Sequence, residues 1–403
     1  MKIDKSFLPA AAAVSLMVFF GGLTFSSALA EISFVTSLLL WAVSGRLNGF
    51  RPVTRELPVF LCFLAWCGLT LLWSEFPKES LRGFFKVFQQ VLVFWMVRDI
   101  FYHEKARRWF EPFFTVLLSI LILDAGYQYV VGRDLIRGFA GEPATAGYRV
   151  TGPFKAYGLF ASFLAVCVPF AGALSLRSFQ AKSKVWLSLA VLTLAAVVFL
   201  FLTRTRTAMV ALPAALFVLL LLKRDWKKIV LLCVLGGAVL FALPRSMVIH
   251  LDAENREQSL VERFYLWDRA VSVIRAKPLT GTGINTYTKA HQRYDRTKNW
   301  RVQNYYAHNG YLQMAAETGI PGALFFLTGI GLLFVRTERR LKNAQGASEA
   351  LLVRGAATGV IAFLVMSLGD TIMHNNQSVY FLWFFMGLCM AYAEALPQSS
   401  QPA

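Results

Sequence analysis

The chain is poor in the residues from which most soluble active sites are built. Of its 403 residues only 16% are charged, five are histidine and five are cysteine. So little charge, beside 56% hydrophobic residues and a mean hydropathy of +0.52, excludes an ordinary soluble domain and indicates a polytopic membrane protein. Cys62, Cys67, Cys167, Cys233 and Cys389 all fall within apolar runs, and Cys62 and Cys67 are not spaced as C-x-x-C. Neither a disulfide framework nor a thiolate metal cluster is therefore indicated, and the cysteines read as small hydrophobes. Acidic residues are scarce as well, 23 against 41 Lys and Arg. The nearest approach to an acidic metal pair, "DAE" at Asp252 to Glu254, reads as a solvated loop.

What the chain has in quantity is uninterrupted apolar sequence. Runs able to cross a bilayer core of about 30 Å as helices lie at 7–29, 31–45, 57–73, 80–97, 109–131, 156–176, 185–202, 207–222, 228–243, 315–335, 350–369 and 377–394. They are continuous rather than alternating, and a helix satisfies its own backbone in lipid, so the expected fold is an all-α polytopic bundle of about twelve spans, not a β-barrel. The "SSALAE" stretch offers an A-x-A pattern at Ala28 and Ala30. The run before it is long for a signal peptide and "MKIDKSFLPA" is only mildly basic, so the first run is read as a retained span.

Charge sets the orientation. With the N-terminus cytoplasmic, six short connections on that side carry 21 of the 41 Lys and Arg residues, as the positive-inside rule expects. The net charge of +18 is then largely a topology signal and no indication of nucleic acid. The basic residues left on the other side need a separate reason. They include Arg133, Arg137, Arg149 and Lys155 in the loop 132–155, and Arg204 and Arg206 in the tight turn "TRTR". Eleven more lie between Pro244 and Tyr305, where a long loop translocates whatever its charge. Arg204 and Arg206 are the least expected of all. At a span boundary they either meet an anionic partner or snorkel to lipid phosphates.

The late outer loop has structure of its own. In "QSLVERFYLWDRAVSVIRAK", residues 258–277, Leu260, Phe264, Trp267, Val271 and Ile274 recur at helical spacing, predicting an amphipathic helix laid over the bundle. "KPLTGTGINTY" then breaks it with Pro278, Gly281 and Gly283. This G-T-G follows no strand and has no third glycine, so it reads as a structural turn and not a nucleotide fingerprint. In "AHNGYLQMAAETGIPG" a helix can begin at His308 or Asn309, bury Leu312 and Ala315 or Ala316, and stop at Gly319 before Pro321. His308 would stand at a helix N-terminus in an outward-facing vestibule, where the dipole favours the neutral imidazole that can accept a proton. Simple capping is the alternative. His374 in "DTIMHNNQ" is the rival base, Glu317 an orienting or structural carboxylate, and Asp124 an intramembrane acid that is either a further site candidate or the partner of an outer-loop arginine. His103, His250 and His291 have no evident partners.

Several of these stretches together resemble the O-antigen ligase and polymerase family of bacterial inner membranes. Arg263, Trp267 and Ala270 on one helix, "KPLTGTGINTY" for a P-L-x-G-x-G turn, and "AHNGYLQMAAETGIPG" for an H-N-x-x-L…E-x-G-x-x-G segment match in type and order. Upstream, "TRTAMVAL" from Thr205 resembles the family's Thr-Arg turn opening a span, and "YRVTGPFKAYGLFASFLA" from Tyr148 its Arg-x-x-G-x-F outer loop. The match runs from about residue 148 to 335.

The resemblance implies a GT-C-like glycosyltransferase, multi-pass in the inner membrane with its active site facing the periplasm. Residues 1–243 would hold nine spans, 244–314 the large periplasmic loop carrying the site, and 315–403 three spans and a short tail. The donor implied is an undecaprenyl-diphosphate-linked O-antigen polysaccharide and the acceptor the lipid A core oligosaccharide, joined without nucleotide sugars and with no metal or other cofactor. His308 is expected as general base, with Arg206, Arg263 and Arg204 or Arg149 on the diphosphate, since guanidinium forks bind such oxygens bidentately and stay charged. A polymerase using another carrier-linked unit as acceptor is the nearest alternative. A transporter is disfavoured because the halves show no repeat and no matching pair of broken spans.

Overall fold

A computed structural model describes residues 7–48, 56–143, 148–222, 227, 253–294, 306–344 and 348–397 of the chain. The helices are α1 (Phe7–Phe25), α2 (Ser27–Asn48), α3 (Glu56–Leu69, continued as a 3-10 turn Thr70–Trp73), α4 (Pro77–Ile100), α5 (Glu104–Val131), α6 (Tyr157–Gln180), α7 (Trp186–Leu202) and α8 (Arg206–Leu222). After these come α9 (Ala253–Ala276), α10 (Gly310–Asn343), α11 (Glu349–Met366) and α12 (Ser378–Ala395). A two-residue hairpin, Glu142–Pro143 against Tyr148–Arg149, is the sheet in the described residues.

Eleven of the twelve apolar runs coincide with helices, and the ninth, 228–243, lies outside the described residues, as does His250. Seven helices, α1, α2, α5, α6, α10, α11 and α12, are long and apolar enough to cross a membrane, while α3, α7 and α8 are shorter apolar helices. The chain is thus a multi-pass membrane protein. α4 has Lys78, Glu79, Arg82 and Lys86 in its first half and is amphipathic rather than uniformly apolar.

α12 is the central helix, buried at every residue from Phe381 to Glu394. In lipid the hydrophobic effect does little to join helices, so close backbone approach has to hold the bundle. Gly355 and Gly359 supply it on α11: a Cβ at either would lie 2.8 Å from Pro169 O or 2.3 Å from Val166 O of α6. Gly387 of α12 meets Phe94 O of α4 in the same way. Far along α10 from its start, Glu394 accepts from Arg98 Nε at 3.1 Å and from Arg336 Nη2 at 2.9 Å, tying α4, α10 and α12.

The two glycine-rich stretches of the late loop turn out to be halves of one clamp. α10 breaks at Gly319 (φ 70°), before Pro321, as the sequence predicts, and the turn 278–283 closes on that break. Thr282 N donates to Ala316 O (3.1 Å), Gly283 N to Glu317 O (2.9 Å) and Ile320 N to Pro278 O (2.8 Å). Gly281 is in the left-handed region (φ 63°), and a Cβ there would stand 2.3 Å from Glu317 O. Trp66 and Trp73 of the α3 unit add indole bonds to Thr318 O and Thr280 O.

Two expectations need correction. α9 begins at Ala253, so Glu254 belongs to its first turn and not to a solvated loop. Its buried face is Leu266, Arg269, Ala270 and Val273, packed on α10, whereas Phe264 is 63% exposed. Of the expected stripe, Trp267 bonds the His308 carbonyl and Ile274 packs beside Ala270 and Val273, so the buried face is displaced around the helix from that stripe rather than opposite to it.

Gly281→Ala should lower stability by about 1 to 3 kcal/mol, the scale of an overpacked site. Thermal unfolding of the purified protein checks this, and an unchanged midpoint would mean that the clamp yields without strain.

Candidate active site

The predicted site residues converge on a turn that the sequence did not single out, Ser367 to Asp370 after α11. The start of α10 is bolted to it. Gly310 N donates to Ser367 O (2.8 Å) and Asp370 O (3.1 Å), and Asn309 Nδ2 to Leu368 O (3.0 Å). Asn309 is the N-cap, its Oδ1 accepting from Tyr311 N and Leu312 N at 3.0 Å each. Capping is therefore done by Asn309, which leaves the His308 side chain for another role. His308 Nδ1 faces Asp370 Oδ1 at 3.7 Å, and the two side chains are 35% and 29% exposed. That is longer than a hydrogen bond but within range to close when a ligand excludes water.

Trp267 on α9 donates its indole N–H to His308 O at 3.4 Å. Arg263, one helical turn earlier, is thereby carried to the same turn: a Cβ on Gly369 would lie 3.6 Å from Arg263 Nη1 and 2.7 Å from Thr207 Cγ2. Thr207 follows Arg206, the first residue of α8, so Gly369 brings the α8 start beside Arg263. Both Arg204 and Arg206 engage neighbouring groups. Val150 N donates to Leu202 O (3.2 Å), which holds the backbone next to Arg149 against the end of α7, while the Arg149 guanidinium itself stacks on Tyr157 at 4.3 Å.

The backbone carries strain where these residues stand. Arg204 (φ 53°) and His308 (φ 48°) are two of four non-glycine residues in the left-handed region among those described. Such a conformation costs about 1 to 2 kcal/mol, and it gathers where surrounding structure must fix a side chain for function.

Other candidates fall into structural places. Glu317 is 1% exposed and accepts from Asn285 N (2.7 Å), Tyr287 N (3.2 Å) and Gln313 Nε2 (3.2 Å), so it is the peg of the clamp. His374 lies 3.9 Å from Glu317 and is only 12% exposed, beside a cavity of about 60 Å³ that Lys86 and Gln90 also line. Burial pushes its imidazole down to about 4. His291 stacks on Tyr287 and meets Arg269 at 3.3 Å; burial, then the Arg269 charge, push it to about 4 as well. Asp124 takes no arginine: it accepts from the amides of Leu135 (2.8 Å) and Ile136 (3.1 Å). Several loop cations are also spoken for, Lys277 and Arg293 by Glu75 at 2.6 and 2.9 Å and Lys289 by Glu79. Among the described residues no three His, Cys, Asp or Glu side chains come together to hold a metal ion.

Asp370 is the residue sequence reasoning missed. Its signal was "SLGDT" at the mouth of a span, a carboxylate beside a glycine on the same side as His308.

Residues 191–327 match the family described as O-antigen ligase. The chain is 24% identical over 398 residues to the exopolysaccharide production protein ExoQ of Rhizobium meliloti (strain 1021), covering 94% of this chain and 86% of that one. It is 22% identical over 329 residues to a Rickettsia felis protein named as a polysaccharide ligase, covering 75% and 74% of the two chains.

The two buried imidazoles set a pH dependence. An unfolded histidine titrates near 6.5, so between about 6.5 and 4 the unfolded chain binds more protons than the folded one. These imidazoles should therefore contribute a loss of stability as pH is lowered through that window, and His374→Gln should remove its part of that contribution. Unfolding midpoints measured from pH 7 to 4 check it; a variant with the parent slope would remove His374 as a cause.

Proposed function

The chain carries an O-antigen ligase family domain over residues 191–327, and from that premise we propose that it transfers undecaprenyl-diphosphate-linked O-antigen polysaccharide to the lipid A core oligosaccharide. Transfer takes place at the periplasmic face of the inner membrane, in a bundle of about twelve spans. The observation that carries the reading is the meeting at Ser367–Asp370 of an accessible imidazole, a facing carboxylate and the arginine-bearing α9 and α8.

The chemistry follows from that grouping. The acceptor hydroxyl oxygen attacks the anomeric carbon, its proton passes to His308, and the bond from that carbon to the diphosphate oxygen breaks. With Nδ1 turned to Asp370, Nε2 is the nitrogen left for the proton, and the carboxylate steadies the imidazolium that forms. A single displacement inverts the anomeric centre. The departing diphosphate gains a negative charge, which Arg206 and Arg263, with Arg204 or Arg149, offset through fixed guanidinium groups. His374 is too enclosed to meet a polymer's hydroxyl, so His308 is the base of choice.

A second reading stands because the relative covering 94% of the chain is named for exopolysaccharide production. There the acceptor would be another carrier-linked unit, with the same base and the same leaving group.

Reconstitution with carrier-linked glycan and lipid A core tests the proposal, and the wild-type protein should form core-linked polymer. His308→Ala should bind the carrier yet transfer glycan about 100- to 10,000-fold more slowly. Near wild-type transfer by that variant would exclude His308 as base, and lengthening of carrier-linked glycan with no core present would favour the second reading.

Arg206→Lys keeps charge and loses the planar fork. Carrier affinity measured by titration should weaken, and an unaltered affinity would assign Arg206 to the lipid surface instead.

A further inference from the structure

The loop after α5 has a construction that the active site does not use. α5 ends at Gly132 in a left-handed cap (φ 88°), and the chain then folds back along the helix. Asp124 Oδ1 receives the amides of Leu135 and Ile136, although Asp124 lies seven residues before the end of α5, about 10 Å down its axis. Asp134, 3% exposed, takes the amides of Arg137 (2.6 Å) and Phe139, and Arg133 pairs with Ala140 across the base. Two buried carboxylates thus satisfy the N–H groups of a short segment that dips beside a membrane helix. Backbone at membrane depth requires that provision.

The side chains held this way face outward. Leu135 is 70% exposed and Ile136 39%. They continue a stripe on α5, where Val116, Ile120, Leu123, Tyr127 and Val130 recur at helical spacing and are all exposed, as lipid-facing residues of a span are. Tyr127 and Tyr129 near the end of α5 form the aromatic girdle that marks the headgroup level. At the same level Arg133 and Arg137 are exposed. Arg137 stacks on Phe139 at 4.6 Å and reaches Pro153 O at 3.5 Å, and among the described residues no carboxylate pairs with either guanidinium.

We propose that residues 133–137 dock an anionic, phosphate-bearing lipid of the leaflet on the site's side, with Leu135 and Ile136 in its acyl region and Arg133 and Arg137 on its phosphate. The continuous lipid-facing stripe argues for a bilayer lipid as occupant, and the two arginines argue for an anionic one. The surface holds whichever acceptor the active site takes. Asp124, an intramembrane carboxylate with no arginine, acquires a purpose: it keeps the loop down at the depth where headgroups lie.

Two measurements test it on the full-length protein in vesicles of phosphatidylcholine and phosphatidylglycerol. Nitroxide labels at Leu135→Cys and Ile136→Cys, in a Cys62→Ser background, are compared for collision with oxygen and with a water-soluble nickel chelate. They should resemble a label at Leu123→Cys on the stripe; resemblance to one at Glu104→Cys, at the far end of α5, would overturn the proposal. Photoreactive phosphatidylglycerol should crosslink to residues 133–137 in preference to photoreactive phosphatidylcholine. At about 1 kcal/mol per basic residue, neutralising one arginine should cut that labelling about fivefold and R133Q with R137Q roughly 25-fold. Equal labelling by the two lipids, or undiminished labelling of the double variant, would also overturn it.

Discussion

The arrangement of the site depends on backbone packed against backbone at the break in α10. Helices in a bilayer lose the directional help of water, so an outer loop stays in place only if its own polar groups are satisfied by the spans beneath it. The turn 278–283 meets that demand by giving its amides to the carbonyls freed where α10 is interrupted, while the buried Glu317 collects two further amides from beyond the turn. Because a Cβ at Gly281 or Gly319 would strike a carbonyl of the other half, the fit tolerates no ordinary side chain at either. The clamp fixes α9, since the turn is its direct continuation, and α9 in turn delivers Trp267 to the His308 carbonyl and Arg263 to Gly369. Loosening the clamp would shift His308 and Arg263, the proposed base and diphosphate ligand, together.

Charge is divided along the bundle in a way that follows from desolvation. Away from the site, the buried Arg98 and the half-buried Arg336 both bond the buried Glu394, an arrangement costly to break but not a source of large net stability. At the site Arg263 of α9 and the start of α8 stand beside Gly369 instead. Lys277, Lys289 and Arg293 have carboxylate partners in Glu75 and Glu79, so the excess positive charge of the outer loop is smaller than a count of residues implies. The arginines beside the 367–370 turn are the ones proposed for the diphosphate.

Much of this was legible in the sequence because membrane helices write themselves as long apolar runs, and their ends as arginines, asparagines and glycines. The Asn309 cap, the break at Gly319 and the structural role of Gly281 and Gly283 each followed from one residue type with one conformational property. What stayed hidden depended on pairs distant in sequence. Asp370 matters through its position against His308, 62 residues earlier. The buried side of α9 was not fully legible from the apolar spacing, since it includes Arg269 and the small Ala270, which a count of large hydrophobic residues passes over, while Phe264 is exposed. An intramembrane carboxylate such as Asp124 suggests either a site residue or an arginine partner; its donors are backbone amides of a loop folded back upon it.

A site assembled from four elements around one turn also accounts for where the strain lies. A helix or strand presents its side chains at fixed spacing, and neither spacing places a base and a set of arginines around an anomeric carbon. Short connections can do so, provided that residues such as Arg204 and His308 accept left-handed backbone, about 1 to 2 kcal/mol each. Around His308 the offset is visible: the Asn309 cap, the two carbonyls that Gly310 N meets, and the Trp267 bond all fix the residue from its flanks. None of them touches the imidazole, which is left facing Asp370 on one edge with the other edge open. That division, a rigid backbone with one ring edge facing Asp370, is what the proposed proton acceptor would need for its orientation to be set before the substrate arrives.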